Sequence, residues 1–178
     1  MPGDLDATFD ADGTAVSVLG AGPANAHATR VQPDGKIVAA GQDGGDFAVA
    51  RFNADGGLDA SFAGDGAVAT PVGSGADEAW GLALQPDGKI VAAGLSSNGT
   101  DNDFALARYG PGGTLDTGFG GGDGLVTTPV GTADDEAYAL ALQSGGEIVA
   151  AGRSSNGTNN DFALARYEAD GTLDTGFG

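Results

Sequence analysis

Short apolar runs recur along the chain between turns rich in Gly, Asp and Pro, and no stretch sustains the period of a helix. In the middle of the chain the runs are 67–70, 79–85, 90–93 and 104–109. Between the second and third lies Pro86-Asp87-Gly88, a hairpin signal, because Pro presets the φ of the turn and Gly accepts the positive φ that follows. Pro33-Asp34-Gly35 repeats it, and Ser144-Gly145-Gly146 keeps the turn without the Asp. A polar loop, 96–102, joins the third and fourth runs and is shortened upstream to 42–45. The pattern predicts an all-β chain of short antiparallel strands. Neither face of these strands is polar. On the second run Trp80, Leu82 and Leu84 share one face, with Gly81 and Ala83 on the other; on the fourth, Phe104 and Leu106 oppose Ala105 and Ala107. A solvated sheet alternates apolar with polar, so this pattern predicts sheets covered on both sides, the bulky face of one pressed on the slim face of the next.

The same pattern returns along the chain. Leu-Asp followed by Phe occurs at Leu5-Asp6 with Phe9, Leu58-Asp59 with Phe62, Leu115-Asp116 with Phe119 and Leu173-Asp174 with Phe177. Two further anchors agree: 36–41 returns at 89–94 and 147–152, and 46–52 returns at 103–109 and 161–167. The units are 1–57, which is divergent, 58–114 and 115–172, followed by 173–178 as the start of a fourth unit or a closing strand. Four short strands per unit with two buried faces describe a β-propeller blade, whereas the coils of a linear β-solenoid take only about 20 to 30 residues. The expected fold is therefore a β-propeller-like array of four-stranded blades, three repeats plus the start of a fourth. Propellers close with about 4 to 8 blades. The remainder would come from further repeats in a longer chain or from self-association, two copies giving six.

The consensus runs Leu-Asp-x-x-Phe-Gly, then Ala-Leu-Gln-Pro-Asp-Gly-Lys-Ile-Val-Ala-Ala-Gly, then Asp-Phe-Ala-Leu-Ala-Arg-Tyr-x-x-Asp-Gly-x-Leu-Asp. It resembles the delta-60 repeat found in tandem in large bacterial proteins. The resemblance covers nearly the whole chain. The first unit departs from it at His27, Thr29 and Arg30, where the other two carry an aromatic residue, Leu and Ala. What the resemblance implies is a propeller-like array in an exported or surface-attached bacterial protein, hence an extracellular or cell-surface location, and no established reaction.

Charge narrows the partners. Seven Lys plus Arg against 25 Asp plus Glu give a net charge of −18, which argues against nucleic acid and anionic membranes. The absence of Cys removes disulfides, thiolate metal sites and thiol chemistry. No apolar run approaches the ~20 residues that cross a bilayer as a helix, so membrane insertion is not expected. The acidic start Met1-Pro2-Gly3-Asp4 lacks the basic and apolar regions of a secretory signal, so an export signal would lie outside this sequence.

Arg51, Arg108 and Arg166 recur in a chain with few cations. They suit structural ion pairs with Asp59, Asp116 and Asp174, or with Asp46, Asp103 and Asp161; a guanidinium ring for an anionic ligand is the sharper alternative. Calcium is the cation the acids suit best, with candidate ligands Asn53, Asp55 and Asp59 in one Gly-containing turn and Glu168, Asp170 and Asp174 in another. Unit two keeps only Asp116 of such a set, and a turn that forms without its carboxylates reads as a plain Asp-Gly turn ahead of a calcium site. Asp77-Glu78 and Asp134-Asp135-Glu136 read as solvated loop charges rather than a glycosidase carboxylate pair. His27 reads as a divergent packing residue, and Asn98-Gly99-Thr100 and Asn156-Gly157-Thr158 as turns before they read as glycosylation sequons. No catalytic residue and no cofactor emerge. The expected function is a non-catalytic structural or interaction repeat module that binds a glycan or surface protein through blade loops or rim. The alternatives are a calcium-dependent adhesion module and a propeller-type lyase or hydrolase.

Overall fold

The computed structural model describes residues 4–178, and every regular element among them is a strand. The first sheet contains β1 (Ala24–Val31), β2 (Ile37–Asp43), β3 (Asp46–Phe52) and β4 (Ala67–Thr70), in the order β1-β2-β3-β4. The second contains β5 (Asp77–Leu84), β6 (Ile90–Ser97), β7 (Asn102–Tyr109) and β8 (Leu125–Thr128), again in chain order. The third has three strands, β9 (Asp135–Leu142), β10 (Ile148–Ser155) and β11 (Asn160–Tyr167). All neighbouring strands are antiparallel.

The sheets are out of phase with the sequence units. Residues 67–70, the first apolar run of their unit, form β4 and pair with β3 of the unit before, Val49 opposite Val68. The cause is a tight return after β3. Leu58 bridges Phe52, and the Arg51 N–H donates to the Gly66 carbonyl at 2.8 Å, which brings the chain back along the β3 edge. β8 follows β7 in the same way.

The first strand of each sheet carries a one-residue β-bulge, at His27, Trp80 and Tyr138. The register therefore skips these residues and the faces switch there. Ala79 pairs with Gly94 and Leu82 with Ala92, so Leu82 shares its face with Ala79 and the expected grouping of Trp80 with Leu82 and Leu84 does not hold. Each bulge needs glycine opposite. A Cβ at Gly94 would lie 1.8 Å from the Glu78 carbonyl oxygen, and Gly41 and Gly152 are held equally close to Asn25 and Glu136. This contact explains the constant Gly in the middle of the second strand of each sheet.

Call the face turned toward the following sheet forward and the other rear. The forward face of the first sheet (Val38, Ala40, Phe47, Val49) and the rear face of the second (Leu82, Ile90, Ala92, Ala105, Ala107, Tyr109) close one core with Phe62. The forward face of the second (Val91, Ala93, Phe104, Leu106) and the rear of the third (Ala137, Ile148, Ala150, Ala163, Ala165, Tyr167) close another with Phe119. Stacking is as the two apolar faces require, but bulk does not segregate by face. On the rear of the second sheet Ala105 and Ala107 of β7 are slim while Leu82 of β5 and Tyr109 of β7 are bulky; on its forward face Gly81 and Ala83 are slim and Phe104 and Leu106 bulky. β1, β5 and β9 lie side by side while β4 and β8 diverge, so the three sheets fan out from their first strands as propeller blades do.

Candidate functional site

The recurring arginines end the third strand of each sheet. Arg51 donates from Nε to Asp59 at 2.7 Å, from Nη1 to the Pro111 carbonyl at 2.6 Å and from Nη2 to the Ser61 hydroxyl at 3.1 Å. Its guanidinium lies 4.9 Å from the centre of the Phe62 ring. Arg108 repeats the arrangement on Asp116 (2.8 Å), the Ala169 and Gly118 carbonyls and the Phe119 ring (4.5 Å). Arg166 binds Asp174 and covers Phe177 at 4.7 Å. Every position of the Leu-Asp-x-x-Phe motif thus has a task. Leu pairs with the end of the strand, Asp accepts the guanidinium, the other Asp oxygen accepts the N–H two residues on, and Phe lies under the cation.

The carboxylate partners are Asp59, Asp116 and Asp174. The alternative set lies elsewhere: Asp46 stands opposite Asp43, Asp103 accepts from the Asn98 amide at 3.1 Å, and Asp161 stands opposite Ser154. Lys36 at 2.6 Å, the Ser61 hydroxyl and N–H, and Arg51 hold the Asp59 carboxyl far below the usual carboxylate range against the opposing effect of burial. Asp116 is held down first by the Gly118 N–H, then by Arg108 and Lys89. With Nε, Nη1 and Nη2 of Arg51 and Arg108 all engaged, these guanidiniums form clasps between turn and strand rather than a ring open to an anion.

The calcium candidates fall within the same turns. Asp55 accepts the Gly57 N–H at 3.1 Å, Asp170 accepts the Thr172 N–H at 2.9 Å, and the Asn53 amide donates to the Leu58 carbonyl at 3.3 Å. Asp59 and Asp174 are bound by arginine, and Glu168 closes its turn through its backbone to Thr172 and Gly171. Among the described residues no three His, Asp or Glu side chains converge on a point where a metal ion would sit.

Two of the acids expected to be solvated are buried. The Asp77 carboxylate accepts the Val72 and Gly73 N–H groups at 2.8 and 3.1 Å, and Asp135 accepts those of Val130 and Gly131 at 2.7 and 2.8 Å. They fold the incoming loop over the start of β5 and β9. Glu136 is buried as well, bound by Arg153 Nε at 3.0 Å and by the Tyr138 hydroxyl at 2.6 Å.

The three bulges bring together a row that was not read from the sequence as a cluster. His27 meets Trp80 edge-on at 6.3 Å, and Trp80 meets Tyr138 at 5.0 Å with the rings tilted by 32°. His27 Nε2 lies 2.7 Å from Glu78. The signal was the equivalence of positions 27, 80 and 138, which alone could not show that a bulge turns all three side chains to one line. Tyr109 and Tyr167 add hydroxyl bridges between sheets, donating to Thr70 at 2.8 Å and Thr128 at 2.9 Å.

The exposed surface with the most regular construction is the pair of loops after β6 and β10. In the first, Asn98 Oδ1 accepts the N–H of Thr100 at 2.9 Å and of Asp101 at 3.2 Å. In the second, Asn156 does the same for Thr158 at 3.0 Å and Asn159 at 3.1 Å. Thr100 and Thr158 are exposed at the two tips. The Asn102 N–H donates to Asp134 at 3.0 Å and ties the first loop to the next sheet.

No curated protein matches the chain closely enough to count as a relative. A family model does match, three times over, at residues 32–62, 85–119 and 143–177, and its description is "Domain of unknown function (DUF5122) beta-propeller". Each match runs from the first hairpin of a sheet through the Arg–Asp–Phe clasp. The matched segments make up more than half of the sequence, and the chain belongs to the DUF5122 β-propeller family.

Proposed function

We propose that the chain is a non-catalytic interaction module of the delta-60 type, working at the bacterial cell surface, that meets a glycan or surface protein through its Asn-held loops. The observation that carries this reading is the repetition of one exposed loop, held by the same Asn turn, on adjacent sheets. Two loops that share Ser-Ser-Asn-Gly-Thr and differ at Asp101 against Asn159 present polar groups in a fixed spacing, and pre-organised polar groups lose little conformational freedom on binding. The recurring charged residues, in contrast, are engaged in holding turns and strands together. The net charge of −18 favours neutral or cationic partners over phosphate-rich ones.

The test is a glycan and surface-protein binding screen with the chain and with the double variant Thr100→Ala, Thr158→Ala. The expected result is a ligand bound by the chain and bound at least tenfold more weakly by the variant, with an unchanged Tm. Absence of any ligand, or equal binding by both proteins, would reject the loops as the binding surface.

A further inference from the structure

Among the described residues, two of the six sheet faces have no sheet against them. The forward face of the third sheet exposes Phe162 (99 %) and Leu164 (54 %), although the equivalent Phe104, Leu106, Phe47 and Val49 are fully buried. The third sheet also lacks the outer strand that β4 and β8 supply to the other two. At the opposite end of the stack, residues 14–17 align with β4 and β8 in the repeat and run beside the rear face of the first sheet. Ala15, Ser17 and Leu19 line a groove there with Ala48, Ala50 and Phe52, and no strand pairs with 14–17.

We propose that a second copy of this chain docks on the third sheet, adding its residues 14–17 as the outer strand beside β11 and covering Phe162 and Leu164 with its first sheet. Repeated reciprocally, the contact closes two copies into a ring of six sheets, within the range of about 4 to 8 blades that propellers use. The occupant follows from contacts the chain already makes twice: forward face on rear face, with the register of β3 on β4 and β7 on β8. That register places Phe162 opposite Ser17, Ala163 opposite Val16 and Leu164 opposite Ala15 of the second copy. Arg166 gains as well. Arg51 and Arg108 each reach a carbonyl of the following unit, at Pro111 and Ala169, and the corresponding acceptor for Arg166 is Ala54 of the second copy.

One seat is contested. The Asp10 N–H donates to the Asp55 carbonyl at 2.6 Å, as Ala63 does to Gly112 and Gly120 to Asp170, so residues 5–10 rest on the chain's own 53–57 turn. Residues 173–178 of the incoming copy would take that place. They carry the stronger anchor, the Arg166–Asp174 pair over Phe177, whereas Asp6 is bonded to Thr8. Docking therefore displaces residues 5–10, and Phe9→Ala is expected to favour it.

Light scattering on the full chain at micromolar concentration tests the idea, and it does not depend on what the loops bind. The expected mass is twice that of one chain, falling to a single, still folded chain in Phe162→Asp, a change at a side chain exposed in the single copy, with a circular-dichroism strand signal like that of the unmodified protein and a Tm lowered by the loss of the partner. A second measurement uses the absence of native Cys: Val16→Cys with Ala163→Cys is expected to give covalently linked pairs on oxidation. A single-chain mass for the unmodified protein, assemblies larger than two, a Phe162→Asp variant that still pairs, or a disulfide closed within one chain would each overturn the proposal.

Discussion

Arg108 is nearly buried and its donors meet a carboxylate and two carbonyls, so its contribution to stability depends on keeping that set complete. Removing one partner of a buried ion pair leaves an uncompensated charge, at a cost of about 3 kcal/mol or more, while removing both leaves none. Asp116→Leu strands the Arg108 guanidinium, whereas Arg108→Leu leaves Asp116 its Lys89 partner. Asp116→Leu is therefore expected to lower the urea midpoint more than Arg108→Leu with Asp116→Leu, and a double-mutant cycle with purely additive losses would contradict the clasp. The same bonds bear on calcium. Asp59 and Asp174 already accept from arginine, so millimolar calcium is expected to leave the Tm unchanged; a rise would show a site that binds only the folded chain. The clasp was legible in the sequence because three arginines recur where cations are scarce. Its partner stayed open between two sets of Asp, and the structure decides for Asp116; the physical reason is that Asp103 and Arg108, five residues apart on one strand, point to opposite faces.

Strands and hairpins announced themselves through period and turn chemistry, but register did not, because a bulge leaves no mark on a simple alternation. Trp80 looks like the first member of a Leu82–Leu84 face until the pairing of Ala79 with Gly94 shows that the strand skips it. The mark lay on the neighbouring strand, in a glycine whose φ is ordinary and whose reason is the approach of the Glu78 carbonyl. Gly94→Ala must push two hydrogen-bonded strands apart, and overpacking of this kind costs about 1–3 kcal/mol. It is expected to lower the Tm and to alter the near-ultraviolet signal of Trp80, whose place against Tyr138 depends on the bulge. Gly44→Ala, at a positive-φ turn with nothing near its Cβ, separates loss of the bulge from ordinary backbone strain. The buried Asp77 and Asp135 escaped the sequence for a related reason: a carboxylate that holds a loop looks the same, as a string of letters, as one that repels its neighbours in water.

At the scale of the stack, titratable groups recur in the same places, so their pH effects reinforce one another. Asp59, Asp116 and Asp174 are held below the ordinary carboxylate range by hydrogen bonds and cations. A carboxyl with a depressed folded-state pKa stabilises the fold above the unfolded value of about 4 and loses that effect as pH falls through the folded value. Protonation also relieves the repulsion within a chain of net charge −18, so the acid loss is expected only after that relief, below about pH 4. Tyr109 and Tyr167 act at the other end. Burial pushes both phenols up to about 12, against the opposing effect of the Thr70 and Thr128 contacts. Above about pH 10 the unfolded chain releases these protons and the folded chain does not, so stability falls between there and pH 12. Urea midpoints measured across pH should therefore form a plateau with two descending limbs. Tyr109→Phe with Tyr167→Phe should flatten the upper limb and lower the plateau by about 1 kcal/mol for each lost hydroxyl bond. An upper limb unchanged in that variant would mean that the two hydroxyls joining the sheets do not control how the stack comes apart in alkali.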